Sequence, residues 1–151
     1  MEKYYKRVGR RFVQVNVPQI IDNAGKYYQQ CGTFVSERTE DSIGLCILSY
    51  ATHHVVMYLK EIPGKFTHNE ALTAVKVHFL GKGELPQVSE LLTALIYYKK
   101  ELGLVTWRDY RALSACYPSL TYVNNDGLAF FNTGLSTRYV AAIRPIIRIK
   151  Q

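Results

Sequence analysis

Nothing in the 151 residues approaches the roughly 18 consecutive apolar positions of a membrane helix, so no membrane span is expected. The start, MEKYYKRVGRRF, is charged but has no apolar h-region. That leaves a chain expected to be made in a cytoplasm. Cysteine is sparse and odd in number, and Cys31, Cys46 and Cys116 lack metal-ligand spacing. They read as reduced thiols. His53, His54, His68 and His78 form no HExxH or Cys/His cluster, so no zinc site is expected. There is no Gly-rich phosphate loop, because Gly81-Lys82-Gly83 is only a short turn between helices. Ser42, Ser49, Ser89 and Ser114 have no nucleophile-elbow context. The carboxylate pairs Glu40–Asp41 and Glu84–Glu90 are accounted for by loop solvation and helix capping. Together these absences leave no catalytic residue, no metal and no cofactor to nominate.

What remains is a chain long enough to bury one core without staples, at 48% hydrophobic residues. Tyrosine is abundant, 12 against one Trp and six Phe, which suits strand faces and interfaces alike. The net charge of +7 is uneven. Residues 1–11 hold Lys3, Lys6, Arg7, Arg10 and Arg11 against Glu2, and residues 139–151 hold Arg144, Arg148 and Lys150 with no acid. The stretch between them is balanced. The domain reading is therefore a basic arm over 1–11 and a single domain over 12–151.

Local signals place the elements. Arg11–Val17, where Val15 and Val17 alternate against Gln14 and Asn16 after Phe12 and Val13, reads as a half-buried strand ending at Pro18. Tyr27–Val35 is a weaker strand broken at Gly32. Ile43–Tyr50 and Val55–Leu59 are apolar runs of buried-strand length, joined by a hairpin-like connection. Thr67-His68-Asn69-Glu70 has the capping-box pattern and predicts a helix over about 68–80, closed by Gly81. Leu85-Pro86-Gln87-Val88 opens a stronger helix. Its apolar face carries Val88, Leu91, Leu92, Leu95, Ile96 and Leu102, and Gly103 caps it. Ala112–Cys116 is a short strand. Asn125-Asp126-Gly127 is a hairpin turn between Thr121–Asn124 and Leu128–Phe131. Tyr139–Ile149 is a final strand interrupted at Pro145.

Several of these residues stand in an order that resembles a known family. Segment 43–50, Leu59-Lys60-Glu61, helix 68–80, and Gly83-Glu84-Leu85-Pro86 with Glu90-Leu91 resemble, in that order, lectin-like domains with a "G-x-x-LP-t-x-x-EL" signature, although here one residue and not two separates Gly83 from Leu85. Ile143-Arg144-Pro145-Ile146-Ile147 stands where that family closes with a "VRPV" strand. The region 40–149 thus resembles the C-type-lectin-like domain of the Fib-succ-major type, similar in fold to the phage tropism determinant and to the formylglycine-generating enzyme. The resemblance implies an α+β fold with two helices packed on small antiparallel sheets and with paired N- and C-terminal strands. Departures are visible too. Arg111–Cys116 stands where the family carries a Trp-rich strand, and the sugar-site tripeptides E-P-N and W-N-D do not occur. Formylglycine-generating chemistry needs paired cysteines near the C-terminus, where only Cys116 lies.

If the terminal strands pair, the two basic segments come together. Lys3, Lys6, Arg7, Arg10, Arg11, Arg144, Arg148 and Lys150 then form one partner-binding pole. The loops from Trp107 to Thr137 are expected to carry further contacts through Trp107, Tyr110, Tyr117, Tyr122, Asn124, Asn125, Phe130 and Asn132. The functional expectation is a non-enzymatic virion subunit: capsid decoration, head fibre or tail-associated protein. It would bind other virion or surface subunits as a homo-oligomer or within a larger assembly. Two alternatives follow from other features. Tyr4 and Tyr5 among basic residues suit a small nucleic-acid-binding protein, and diversified loops would suit a receptor-binding adhesin.

Overall fold

The computed structural model describes residues 4–15, 21–114, 117–123, 129–133 and 139–151. Among them ten strands and three helices form a mixed α/β protein with antiparallel sheets. The first two strands, β1 (Tyr4–Val8) and β2 (Arg11–Val15), make a two-stranded ribbon. The central sheet has five strands: β3 (Tyr27–Gln29), β4 (Phe34–Val35), β5 (Ser42–Ser49), β6 (His53–Tyr58) and β10 (Ile146–Lys150). Their order is β10-β6-β5-β3-β4. A third sheet joins β7 (Tyr110–Ser114), β8 (Tyr117–Val123) and β9 (Ala129–Thr133) in sequence order.

Three helices connect the sheets: α1 (His68–Lys76), α2 (Val88–Tyr97) and the single turn α3 (Lys99–Leu102). α1 begins at the expected capping box. The Glu70 amide donates to Thr67 Oγ1 at 3.4 Å, and the Thr67 amide donates to Glu70 Oε1 at 3.1 Å. It ends four residues before the predicted limit. Phe79 and Leu80 take positive φ, 53° and 58°, and turn the chain back over the helix end. The return is so close that a Cβ on Gly83 would stand 1.9 Å from the Val75 carbonyl oxygen. Only glycine fits there. α2 and α3 divide the second predicted helix at Tyr98, and Gly103 closes it with φ of 62° as the cap signal required.

The main core lies between α2 and the central sheet. Leu45, Ile47, Val55 and Met57 from the strands meet Leu91, Ala94 and Leu95 from the helix, with Tyr110 and Ala112 closing it from β7. The alternation is that of a sheet with one face under a helix. On the opposite face a smaller cluster gathers Cys46, Val56 and Ile147 under Phe79. A third cluster sits under α1, with Ala71, Val75, Leu85 and Ile143.

One expected feature is overturned. Among the described residues the N- and C-terminal strands do not pair. β2 pairs along its length with β1, from Tyr4↔Val15 to Val8↔Arg11, and β10 pairs with β6, from Ile146↔Met57 to Lys150↔His53. The two-residue turn Gly9-Arg10 explains the choice. Gly9 supplies the positive φ, 62°, that the first central position of a II′-type hairpin turn needs. Closing so short a loop costs far less chain entropy than joining the two ends. The expected arm and the first expected strand are thus one hairpin.

Candidate partner-binding surface

The ribbon carries four of the sequence-predicted basic residues, Lys6, Arg7, Arg10 and Arg11, all exposed. No acidic residue lies within 4–15. Period-two geometry and the register place Lys6, Val8, Arg11 and Val13 on one face, and Tyr5, Arg7, Phe12 and Gln14 on the other. Arg7 donates from Nε to the Gly9 carbonyl at 3.1 Å, which stiffens the turn. Both faces therefore mix cations with apolar side chains, and Tyr5, Val8, Phe12 and Val13 are exposed, Phe12 at 72%. Lys3, the fifth basic residue of the arm, lies outside the described residues.

The C-terminal cations behave differently, and the expected pole is not formed. Arg144 is 2% exposed. Its Nη1 donates to the carbonyls of Tyr58 (3.1 Å), Leu59 (3.3 Å) and Leu102 (2.6 Å), tying β6 and α3 to the segment before β10. Burial disfavours its charged form. Arg148 is clamped by the buried Glu90 in a bidentate pair, at 2.6 and 2.9 Å, and its Nε lies 3.4 Å from Glu84. The hydrogen bonds to Glu90 hold the guanidinium above its ordinary range. Glu90 also accepts the Gln87 amide at 2.8 Å, so one carboxylate caps α2 and anchors β10. Only Lys150 of the three stands exposed. These charges serve folding because they are surrounded by carbonyls or by a buried acid. A count of charges along the chain cannot register that.

The predicted loop contacts divide in the same way. Trp107 is exposed with φ of 64°, beside a cleft of about 310 Å³ that it lines with Lys65, Arg108 and Asp109. Arg108 in turn is ion-paired with Glu61. Tyr110, expected as a contact, is buried instead. It faces α2 in the main core, and its hydroxyl accepts the Val105 amide at 3.1 Å. Tyr117, Tyr122, Phe130 and Asn132 fall on β8 and β9, with Tyr122 opposite Phe130, but their side chains lie outside the description. Asn124 and Asn125 lie outside the described residues.

A polar network that no sequence motif announced sits at the top of the central sheet. His54, 4% exposed, reaches Ser49 Oγ through Nδ1 at 2.8 Å and Asn23 Nδ2 through Nε2 at 3.4 Å. Ser49 Oγ also accepts the Asn23 amide at 3.0 Å, and Cys46 Sγ lies 3.6 Å away. The residue types are those of a nucleophilic triad, but Ser49 is occupied on three sides. The arrangement fastens the segment at Asn23 to β5 and β6. Cys31 is exposed and Cys46 buried, while Cys116 lies outside the described residues. A hydrogen bond from the Thr33 side chain holds the Cys31 thiol below its usual range.

Among the described residues no group of three or more His, Cys, Asp or Glu could hold a metal ion, and no helix is long and apolar enough to cross a membrane. No family model matches the chain, and no curated protein or solved structure matches it either.

Proposed function

We propose that this protein is a non-enzymatic docking or assembly subunit that attaches to an acidic protein partner through the β1–β2 ribbon. One observation carries the reading: the ribbon presents only positive charge while keeping apolar side chains exposed on both of its faces. A two-stranded ribbon wet on both sides is marginally stable alone. Burying Val8 and Val13 on one face and Tyr5 and Phe12 on the other requires a surface that wraps around it, such as a cleft between protein subunits. Acidic groups at the rim of that cleft would steer the approach. A virion, where small subunits decorate larger ones, is the setting this reading expects. It draws support from the resemblance of residues 40–149 to lectin-like display domains, less the terminal strand pairing that the resemblance implied.

The second reading, nucleic-acid binding, is favoured by Tyr5 and Phe12 lying diagonally about Arg7 on one face, where bases could stack. It leaves Val8 and Val13 without a use, because a nucleic acid would cover the other face. A photo-crosslinking residue at Phe12, in the cell or particle that makes the protein, separates the two. The assembly reading expects one discrete protein adduct, weakened by high salt and lost when Arg7, Arg10 and Arg11 are changed to Glu. Adducts to nucleic acid alone, with filter retention of single-stranded DNA abolished by deleting residues 1–15, would overturn it.

A further inference from the structure

The face of the central sheet turned away from α2 is only half covered. Phe79 seats its ring on Cys46, Val56 and Ile147, and its centroid lies 5.4 Å from that of Tyr58. Beyond it Tyr28, Ile43, Tyr58 and Ile149, one from each of β3, β5, β6 and β10, remain partly exposed. They floor a cleft of about 630 Å³ whose other wall is the turn after α1.

That turn, which brings the chain back over the end of α1, carries a backbone cost. Phe79 and Leu80 both adopt the left-handed backbone that L-residues avoid. The strain at Phe79 is offset by burial of its ring. At Leu80 the turn is closed by backbone hydrogen bonds, the Lys82 amide donating to the Phe79 carbonyl at 3.2 Å and the Gly83 amide to the His78 carbonyl at 3.0 Å, but the side chain is 97% exposed and its burial offsets none of the strain. Val77, 73% exposed, stands on the same lip. Strain kept at an exposed apolar residue beside an apolar cleft marks a surface shaped for contact.

The charge of the cleft limits what can fill it. Lys82, Arg148 and Lys150 line it, and no carboxylate does. The guanidinium of Arg148 is committed to Glu90, which leaves the two lysines. A second copy's ribbon would bring Lys6, Arg7, Arg10 and Arg11 against them, like charge on like. The floor spans four adjacent strands, or about 14 Å at the usual strand spacing, the length of roughly ten helical residues. A small amphiphile could fill the floor, but it would leave Val77 and Leu80 in water.

We propose that this cleft is a docking groove for an acidic amphipathic segment of a partner protein. Its apolar residues lie between the Leu80 lip and Ile149, and its carboxylates face Lys82 and Lys150. The groove is separate from the ribbon and does not depend on the reading given to it. The test is selection of a random peptide display library on the immobilised full chain, followed by affinity measurement on variants. Peptides rich in Asp or Glu and in apolar residues are expected. Leu80→Gly should weaken their binding about tenfold. Glycine accepts the positive φ at 80, so that variant folds with an unchanged or higher Tm, and its loss of binding is not a loss of fold. Lys82→Glu with Lys150→Glu should shift selection toward basic peptides. The proposal is overturned by binders indifferent to Leu80→Gly, by enrichment without acidic bias, or by no enrichment at all. Saturation of the cleft by dodecanoate with no dependence on Leu80 would also overturn it, in favour of a small amphiphile.

Discussion

In β2, Arg11 stands in solvent opposite Val8, whereas in β10 Arg148 is gripped by Glu90 and Glu84. Just before β10, Arg144 is enclosed by three backbone carbonyls. Both ends of the chain are basic to a similar degree in sequence. In the C-terminal segment the guanidinium groups are structural: each satisfies groups that folding has taken from water, and each is thereby withdrawn from any partner. In the ribbon the strands bury nothing among the described residues, so the same side chains keep their full charge for an encounter. Charge available for binding is charge that the fold has left unpaired, and of the two ends of the chain the ribbon has more of it.

The largest effect that can test this contrast comes from removing a guanidinium at each end. Arg144→Met should cost about 3–5 kcal/mol, because it leaves the Tyr58, Leu59 and Leu102 carbonyls buried without a donor. Arg11→Met should change stability by less than about 0.5 kcal/mol, as exposed substitutions do. Urea unfolding midpoints measure both. Equal losses at the two positions would erase the distinction.

How far the sequence discloses this arrangement depends on the range of the interaction. Short-range signals read well. Thr67 and Glu70 mark the start of α1, Pro86 precedes α2 closely, Gly103 ends α3, and the apolar runs at 43–50 and 55–59 become β5 and β6. The hairpin turn expected at Asn125-Asp126-Gly127 lies outside the described residues, but β8 and β9, which flank it, pair as that turn requires. The ribbon was half visible. Val13–Val17 alternates in sequence and marks the second strand, while Tyr4–Val8 is so basic that it resembles a tail, and only Gly9 between them hints at a turn. α1 ends at Lys76 although Leu80 continues the helical spacing, and spacing carries no information about φ. What could not be read is what long sequence separation hides. Arg148 finds Glu90 across 58 residues, and Asn23 finds His54 across 31. Nothing local to Tyr110 shows that α2 will cover it, so its sequence context reads as a loop contact.

A smaller effect separates the two regions by pH. Burial holds His54 below its ordinary range, with His53 adding to the shift and Asp22 opposing it, and burial also lowers His68 and His78. A depressed folded pKa means that the unfolded chain takes up protons first as pH falls. The contribution is therefore present in full above about pH 6.5, the unfolded value, and is lost progressively below it. The body should unfold at lower urea at pH 5 than at pH 7, by less than Arg144→Met removes, and His54→Gln should flatten that slope. The ribbon, residues 4–15, holds no histidine, so partner attachment through it should not share this dependence on the three histidines. A body equally stable at both pH values would sink the assignment of these histidines as neutral packing groups.

The smallest expected change in stability is the most telling for the ribbon. Phe12 is more exposed than Tyr5, its neighbour on the same face of the β1–β2 hairpin, and stands opposite Arg7. Phe12→Ser should leave the urea midpoint within about 0.5 kcal/mol of the parent, because no buried contact is lost. The same substitution should weaken attachment to the partner identified by crosslinking at this position, because a large exposed aromatic among cations is a natural anchor. The two readouts move apart only if Phe12 contacts the partner and not the body of its own chain. A large loss of stability would mean that the ribbon packs onto the body through Phe12. Its exposed faces would then be folding surface, and the contrast between the two ends of the chain would fail.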